Sequence, residues 1–461
     1  MVYDSGLYHF ATVRWLNEYP IVPGLGNLHG RLAFNQSFFL YVAAMNVYPV
    51  FSHGYSVANS FLFLLVFFEC CQEAGRLLRR QRSPHELQDL GYPLGYLFLP
   101  LLVFTAVTQC LASPTPDMAS FLLQVVLFIH LWRLLGRRAD QPSLVSETGF
   151  VALLATVAVT IKLSNIVFAW VCMGISMVLA FRGAHLPVSR FALRFAGVAT
   201  LVVLCVGVWL GRGIILSGYP LYPLPCMSTA TDWAVPEEAA SQQSLWIRSW
   251  ARAPGKLPSE VLASRDWFAP WLKKTLRRHS GTAVSYPLAL CAVLAMFLAV
   301  LLVQTSASGT RWSTPNTLCL VSTLAPLGGL VFWFLSAPDP RFAGAQFWML
   351  PIAVAGALLT CTRFANASLV PAVVLLSALS CPLAFRAFHT TAPAVGKVSV
   401  CGYEALPVAE LVQKETRSGL KVYVPIEDDR CWNAPLPSTP RFDPFLSQRG
   451  PALRRGFRLE P

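Results

Sequence analysis

The stretch "SETGFVALLATVAVTIKLSNIVFAWVCMGISMVLAF" occupies residues 146–181. Its only charges are Glu147 and Lys162, and Lys162 separates two apolar runs, 146–162 and 164–181. Each run approaches the ~20 residues that a helix needs to cross a bilayer. With almost nothing between them, the two predicted spans are tightly joined. Runs of the same kind recur at 57–75, 94–112, 118–135, 191–210, 286–304, 317–335, 345–361 and 368–386. The reading is an all-α polytopic membrane protein with about ten spanning helices. Residues 36–51 are also apolar, but polar residues and Pro49 interrupt them, which suggests an interfacial or re-entrant piece.

Composition agrees with a membrane. The 461 residues are 55% hydrophobic and 13% charged, where a soluble domain carries about 25% charge. Mean hydropathy is +0.52. The net charge of +13 comes from scattered lysines and arginines, many at helix ends. That pattern fits cytoplasmic loops better than a nucleic-acid surface. The 12 cysteines show no metal-ligand spacing; Cys70, Cys71 and Cys291 read as small core residues. No cleavable signal pattern, internal repeat or low-complexity tract is evident.

Basic short loops set the orientation. Arg76 to Arg82, then Arg133, Arg137 and Arg138, then Arg182, Arg190 and Arg194 fall on one side, read as cytoplasmic. "SPTPD" (113–117) falls on the other and has no positive charge. "KKTLRRH" (273–279) violates the pattern from the end of a long loop. The division that follows has a first outer loop over 1–56, an N-terminal transmembrane bundle over 57–210 and an outer amphipathic loop over 211–285. A C-terminal bundle over 286–386 and a small outer module over 387–461 complete it. Nearly all unusual polar sequence then lies outside.

Residues 3–35, "YDSGLYHFATVRWLNEYPIVPGLGNLHGRLAFN", are the most unusual. Asp4 precedes Tyr8 and His9, and a glycine-rich run holds His29 and Arg31. An acid near a phosphate-binding arginine suits a general base or a divalent-cation ligand; an ordered loop that satisfies itself fits equally. Asp117 opens a span, as a helix-end carboxylate or as a second acid beside Asp4. Lys162 either snorkels or meets a ligand phosphate. The loop "GRGIILSGYPLYPLP" (211–225) offers Arg212 and Tyr219. "SAPDPRFAG" (336–344) pins Asp339 between two prolines, with Arg341 directly after the second: a structural turn or an anion site. "SLWIRSWARAPG" and "DWFAPWLKK" read as interfacial helices. Glu69 is expected to face protein near the cytoplasmic end, and "LKVYVP" (420–425) to form a short strand. Nucleotide-binding, zinc-protease and serine-elbow motifs are absent.

Several of these motifs, with "TIKLS", "SGYPLYP", "WFLSAPDPRFAG" and "DRCWNAPLP", resemble a family of uncharacterised bacterial polytopic membrane proteins. Their layout resembles GT-C-fold glycosyltransferases that use polyprenyl-phosphate sugars. The resemblance implies Asp4 and Asp117 as catalytic acids, or as ligands of a divalent cation. It implies that Lys162, Arg212 and Arg341 hold the donor phosphate, and His29, Arg31, Tyr219 and Asp339 join them as substrate-binding candidates. GT-C enzymes place a complete span before the first acid, and here Asp4 follows Met1 closely, so a first spanning helix is expected to be missing. The expected partners are a polyprenyl-phosphate lipid donor, a saccharide or lipid acceptor, and the membrane, without nucleic acid. The expected place is the bacterial inner membrane, with the functional face outward. A polysaccharide polymerase or ligase, and a transporter or flippase of a lipid-linked saccharide, remain as alternatives.

Overall fold

The computed structural model describes residues 2–47, 53–78, 91–108, 111–136, 143–183, 188–277, 283–307, 320–360 and 406–460. Five helices among the described residues are long and apolar enough to cross a membrane. They lie in α4 (Gly54–Leu78), α6 (Pro116–Gly136), α7 (Ser143–Ile161), α9 (Val188–Ser217) and the joined turn and helix that contain α8 (Ile166–Gly183). Helix α5 (Gly91–Thr108) packs beside α4.

The expectation of about ten spans is therefore corrected. The run 317–335 holds α14 (Leu324–Ser336), whose 13 residues reach about 20 Å. That is short of the ~30 Å hydrocarbon core. Helix α16 (Gln346–Thr360) has 15 residues and an internal Pro351. Helix α13 (Ser285–Ala307) is apolar over Ser285–Val300. At 317–335 hydropathy alone merges α14 with the turn at Ser322–Thr323 before it. The run 368–386 lies outside the described residues, as do Arg79 to Arg82, Arg137 and Arg138.

The all-α expectation is corrected too. Residues 411–459 contain two antiparallel hairpins, β1 (Leu411–Glu415) with β2 (Lys421–Pro425) and β3 (Leu446–Gln448) with β4 (Phe457–Leu459). β2 is the strand expected at "LKVYVP". It alternates Lys421, Val422, Tyr423 and Val424, with both valines buried, as a half-buried strand does.

Two cores result. One runs through the helix bundle and centres on Phe98, Phe128, Trp132 and Met349. Outward-facing apolar residues such as Val203 and Val208 on α9 are exposed, as lipid-facing positions are. Five apolar spans make this a membrane-associated protein.

The second core joins the opening stretch to the β hairpins. Leu7, Trp15, Leu25, Phe38 and Phe39 pack with Tyr219, Val422 and Phe457. Helix α1 (Phe10–Glu18) supplies Ala11, Val13 and Trp15 to it, and α3 (Phe38–Ala44) Phe38, Phe39 and Val42. Two glycines let the chains close. Gly24 (φ 64°) and Gly456 (φ 93°) are left-handed, and a Cβ on either would meet a carbonyl of the other strand at 2.1 Å. The Phe457 amide donates to the Pro23 carbonyl at 3.0 Å. In the segment 36–51, read as an interfacial or re-entrant piece, Phe38 and Phe39 are buried in this core while Leu40 and Val47 are exposed; residues 48–51 lie outside the described residues.

Amphipathic helices flank the bundle. α10 (Glu237–Arg252) exposes Trp246 and Trp250. α12 (Phe268–Arg277) buries Trp271 against Trp333 and Phe347.

Candidate functional site

Asp4 stands immediately before a helical turn, Ser5–His9. Gly6 fixes that turn, because a Cβ there would meet the Trp432 ring at 2.8 Å. The Trp432 amide donates to the Gly6 carbonyl at 2.8 Å. On the other flank Ser5 Oγ bonds Ser113 Oγ at 2.6 Å. This ties the opening turn to the loop before α6.

The Asp4 carboxylate lies between two arginines. Oδ1 accepts from Arg31 at 3.0 Å and Oδ2 from Arg341 at 2.8 Å. Arg31 comes from a short helical turn, Gly30–Ala33, and Arg341 from α15 (Pro340–Ala343). Proline at the first helical position and Asp339 as its cap fix the α15 turn, with the Asp339 carboxylate accepting from the Arg341 amide at 3.1 Å. Trp333 Nε1 donates to the Asp339 carbonyl at 2.7 Å, and Trp271 Nε1 to the Pro338 carbonyl at 2.8 Å. Gly344 ends the turn at φ 61°, where a Cβ would meet Gln124 Oε1 at 2.4 Å. That oxygen accepts from the Ala345 amide at 2.7 Å.

A second pair adjoins the first. Lys162, between α7 and α8, bonds the Asp117 carboxylate in the first turn of α6. Phe342 links the two pairs: Lys162 Nζ lies 4.1 Å from its ring centroid and the Arg341 guanidinium 4.8 Å. Six of the sequence-derived candidates therefore form one patch: Asp4, Arg31, Asp117, Lys162, Asp339 and Arg341. Three carboxylates face three cations. Lys162 and Asp4 are largely shielded, at 12% and 15% side-chain exposure, whereas Arg31 and Arg341 keep 35% and 43%.

Electrostatics follows from this packing. Burial pushes the Asp4 carboxyl up, but the guanidiniums of Arg341 and Arg31 outweigh it and hold the group below its ordinary value. Burial opposes the charge on Arg341, yet Asp117, Asp4 and Asp339 more than offset it and raise its pKa. His9, one helical turn beyond Ser5, contacts the Ser5 hydroxyl at 3.3 Å. Burial lowers its imidazole to about 4 against the pull of Asp4 and Asp117, so it is neutral at pH 7.

The other three candidates have different surroundings. His29 is lowered to about 3, first by burial and then by Arg31 and Arg441, and carries no charge for a phosphate. Tyr219 is 1% exposed and its hydroxyl donates to the Val235 carbonyl at 3.0 Å. Arg212 is buried and donates to Asn35 Oδ1 at 2.6 Å. The structure also adds residues that sequence reading passed over. Phe342 follows Arg341 in the proline-pinned turn, and Arg252 donates to the carbonyls of Ser336 and Leu335 at 3.0 Å each, just before it.

The patch does not suit the divalent cation considered for Asp4 and Asp117. Each acid already neutralises a basic side chain. Among the described residues no group of three or more His, Cys, Asp or Glu side chains converges.

No curated protein and no solved structure matches this chain. A family profile does, over residues 1–348, which includes all six patch residues. By that match the chain belongs to the family described as a domain of unknown function (DUF8201).

Proposed function

We propose that the patch binds the phosphate of a polyprenyl-phosphate-linked sugar and transfers the sugar to an acceptor hydroxyl on the outer face of the bacterial inner membrane. The observation that carries this reading is one carboxylate, Asp4, held between two half-exposed arginines beside a lysine, at the ends of apolar helices. Arginine forks suit phosphate oxygens, and a chain of isoprene units finds apolar helix surface immediately below.

In this mechanism the donor phosphate draws Arg341 and Arg31 away from Asp4. Asp4 then loses the two charges that keep it acidic and becomes a stronger base. It takes the proton of the acceptor hydroxyl. The acceptor oxygen forms a bond to the anomeric carbon as the bond from that carbon to the phosphate oxygen breaks. The electron pair stays on the phosphate, where Arg31, Arg341 and Lys162 stabilise it. Asp117 holds Lys162 in position. The acceptor is a saccharide or a lipid. The position of the charges at helix ends favours chemistry over passage, because a flippase needs polar groups along the membrane depth.

The test has two arms on purified protein in lipid nanodiscs. Farnesyl phosphate binding is measured first, then release of label from radiolabelled polyprenyl-phosphate sugars. The expectation is saturable binding that Arg341→Gln weakens at least tenfold, and label transfer that Asp4→Asn abolishes while farnesyl phosphate still binds. Transfer at the wild-type rate by Asp4→Asn sinks the mechanism. Movement of intact labelled lipid across the bilayer, without transfer, selects the transporter instead.

A further inference from the structure

A second basic site lies in the core between the opening stretch and α9. Trp15, Arg212 and Thr12 line a partly open cavity together with apolar side chains that include Val22, Leu25, Leu32 and Leu216. About 10 Å³ of it is open to the centre of a water-sized species, enough for one such particle. Trp15 is 2% exposed and Arg212 7%. The indole Nε1 of Trp15 and the Nε of Arg212 are both buried without a hydrogen-bond partner.

The charge is equally unanswered. Arg212 donates from one terminal nitrogen to Asn35 Oδ1, and Asn35 is itself held by Trp209, which donates to its carbonyl at 2.5 Å. Among the described residues no carboxylate ion-pairs with Arg212. A guanidinium buried beside leucines with one neutral partner is costly. Two unpartnered donors and one uncompensated positive charge belong to side chains that line a space of single-particle size. All three features call for the same occupant.

We infer that this cavity is a binding site for one small monovalent anion, held by Trp15 Nε1 and the Arg212 guanidinium. Its chemistry is that of a halide or of one oxygen of a phosphate. The anion neutralises Arg212, locks α1 against α9, and so braces the helix that follows Asp4. The site is separate from the Asp4 patch and stands whether or not that patch transfers sugar.

The experiment uses full-length protein and bromide as the probe. Thermal unfolding is followed in sodium gluconate as bromide replaces gluconate at constant ionic strength. Anomalous diffraction from bromide-soaked crystals locates the ion. The expectation is a saturable rise in Tm and an anomalous peak between Trp15 Nε1 and the Arg212 guanidinium. Trp15→Phe, which keeps the packing and removes the donor, lowers apparent affinity about tenfold; Arg212→Gln abolishes the shift. Inorganic phosphate and dihexanoyl phosphatidic acid, titrated in the same way, distinguish the sources. Stronger stabilisation by either assigns a phosphate oxygen, free or lipid-borne, and competition with bromide keeps the site. A cavity holding only water, with no Tm response to any of the three anions, overturns the proposal. So does a response that Arg212→Gln leaves intact.

Discussion

Among the described residues two charge clusters share α6. Near its start Asp117 belongs to the Asp4 patch. Near its end Arg133 bridges Glu69 at 3.1 Å and Glu73 at 2.5 Å, with His130 at 3.6 Å from Glu69. Sixteen residues of helix place the two about 24 Å apart. The Arg133 cluster comes from two neighbouring helices, α4 and α6, each contributing residues a turn apart. The Asp4 patch comes from five separate segments. One is a staple between helices; the other is a meeting of chain segments and turns whose two arginines stay half-exposed. Acid and base alone do not distinguish a structural pair from a candidate site. What distinguishes them is how many elements must converge and whether a newcomer can reach the charges.

The sharpest challenge to this contrast is removal of the staple's cation. Arg133→Leu leaves Glu69 and the 2%-exposed Glu73 facing each other without it. The expected cost is about 3–5 kcal/mol, measured as thermal or urea unfolding of the solubilised protein. If it proves harmless, the Arg133 cluster is not a staple.

The next effect is an acid sensitivity in the core around the opening stretch. The lowered His9 pKa, about 4, sits below the ~6.5 of an unfolded histidine. A depressed folded pKa contributes stability that is fully present above ~6.5 and is lost as pH falls toward 4. Wild-type stability should therefore decline over that window. His29, lowered to about 3, adds to the same decline, so His9→Asn should remove about half of the slope and a second change, His29→Asn, most of the rest. An unchanged slope would show that another group titrates there.

Asp4→Asn should cost about 1 kcal/mol, because its partners are partly solvated. Its folded pKa is lowered, so the stability it contributes holds above ~pH 4 and fades as pH falls through the folded value. Acid titrations of the variant and the wild type should converge at low pH. A cost as large as that of Arg133→Leu would erase the distinction between patch and staple.

The smallest effect is expected at the surface. Arg449 bonds Asp232 through both carboxylate oxygens, at 2.7 and 2.9 Å, in an exposed setting. Asp232→Asn should change stability by less than ~1 kcal/mol. A double-mutant cycle with Arg449→Gln measures the pair directly.

Part of this was legible in the sequence. The runs 118–135, 146–162 and 164–181 coincide closely with α6, α7 and α8, because length and hydropathy suffice for a helix bounded by polar turns. They did not suffice at 317–335, where a turn at Ser322–Thr323 precedes α14 and hydropathy does not register it. β3 and β4 have three residues each, too few to show a period. In the patch, Lys162 and Arg341 stood out because charge beside apolar sequence is costly. Their meeting with acids did not: Asp4 and Arg341 are 337 positions apart, and no local pattern encodes that distance. His29 and Tyr219 looked ligand-like beside glycines; His29 lies beside Arg31 with its imidazole held neutral, and the Tyr219 hydroxyl donates to a backbone carbonyl.

The docking of the β hairpins on the opening stretch has a consequence for synthesis. Thr439 donates to the Leu28 carbonyl across 411 positions. At ~5–20 residues per second, a ribosome needs about 20–80 s to deliver the later partner after the earlier one. Through that interval Trp15 and Gly24 have emerged but lack Phe457, and the Ser5–His9 turn lacks Trp432. The opening stretch is thus among the last parts of the chain to settle, and it does so only when the later strands arrive.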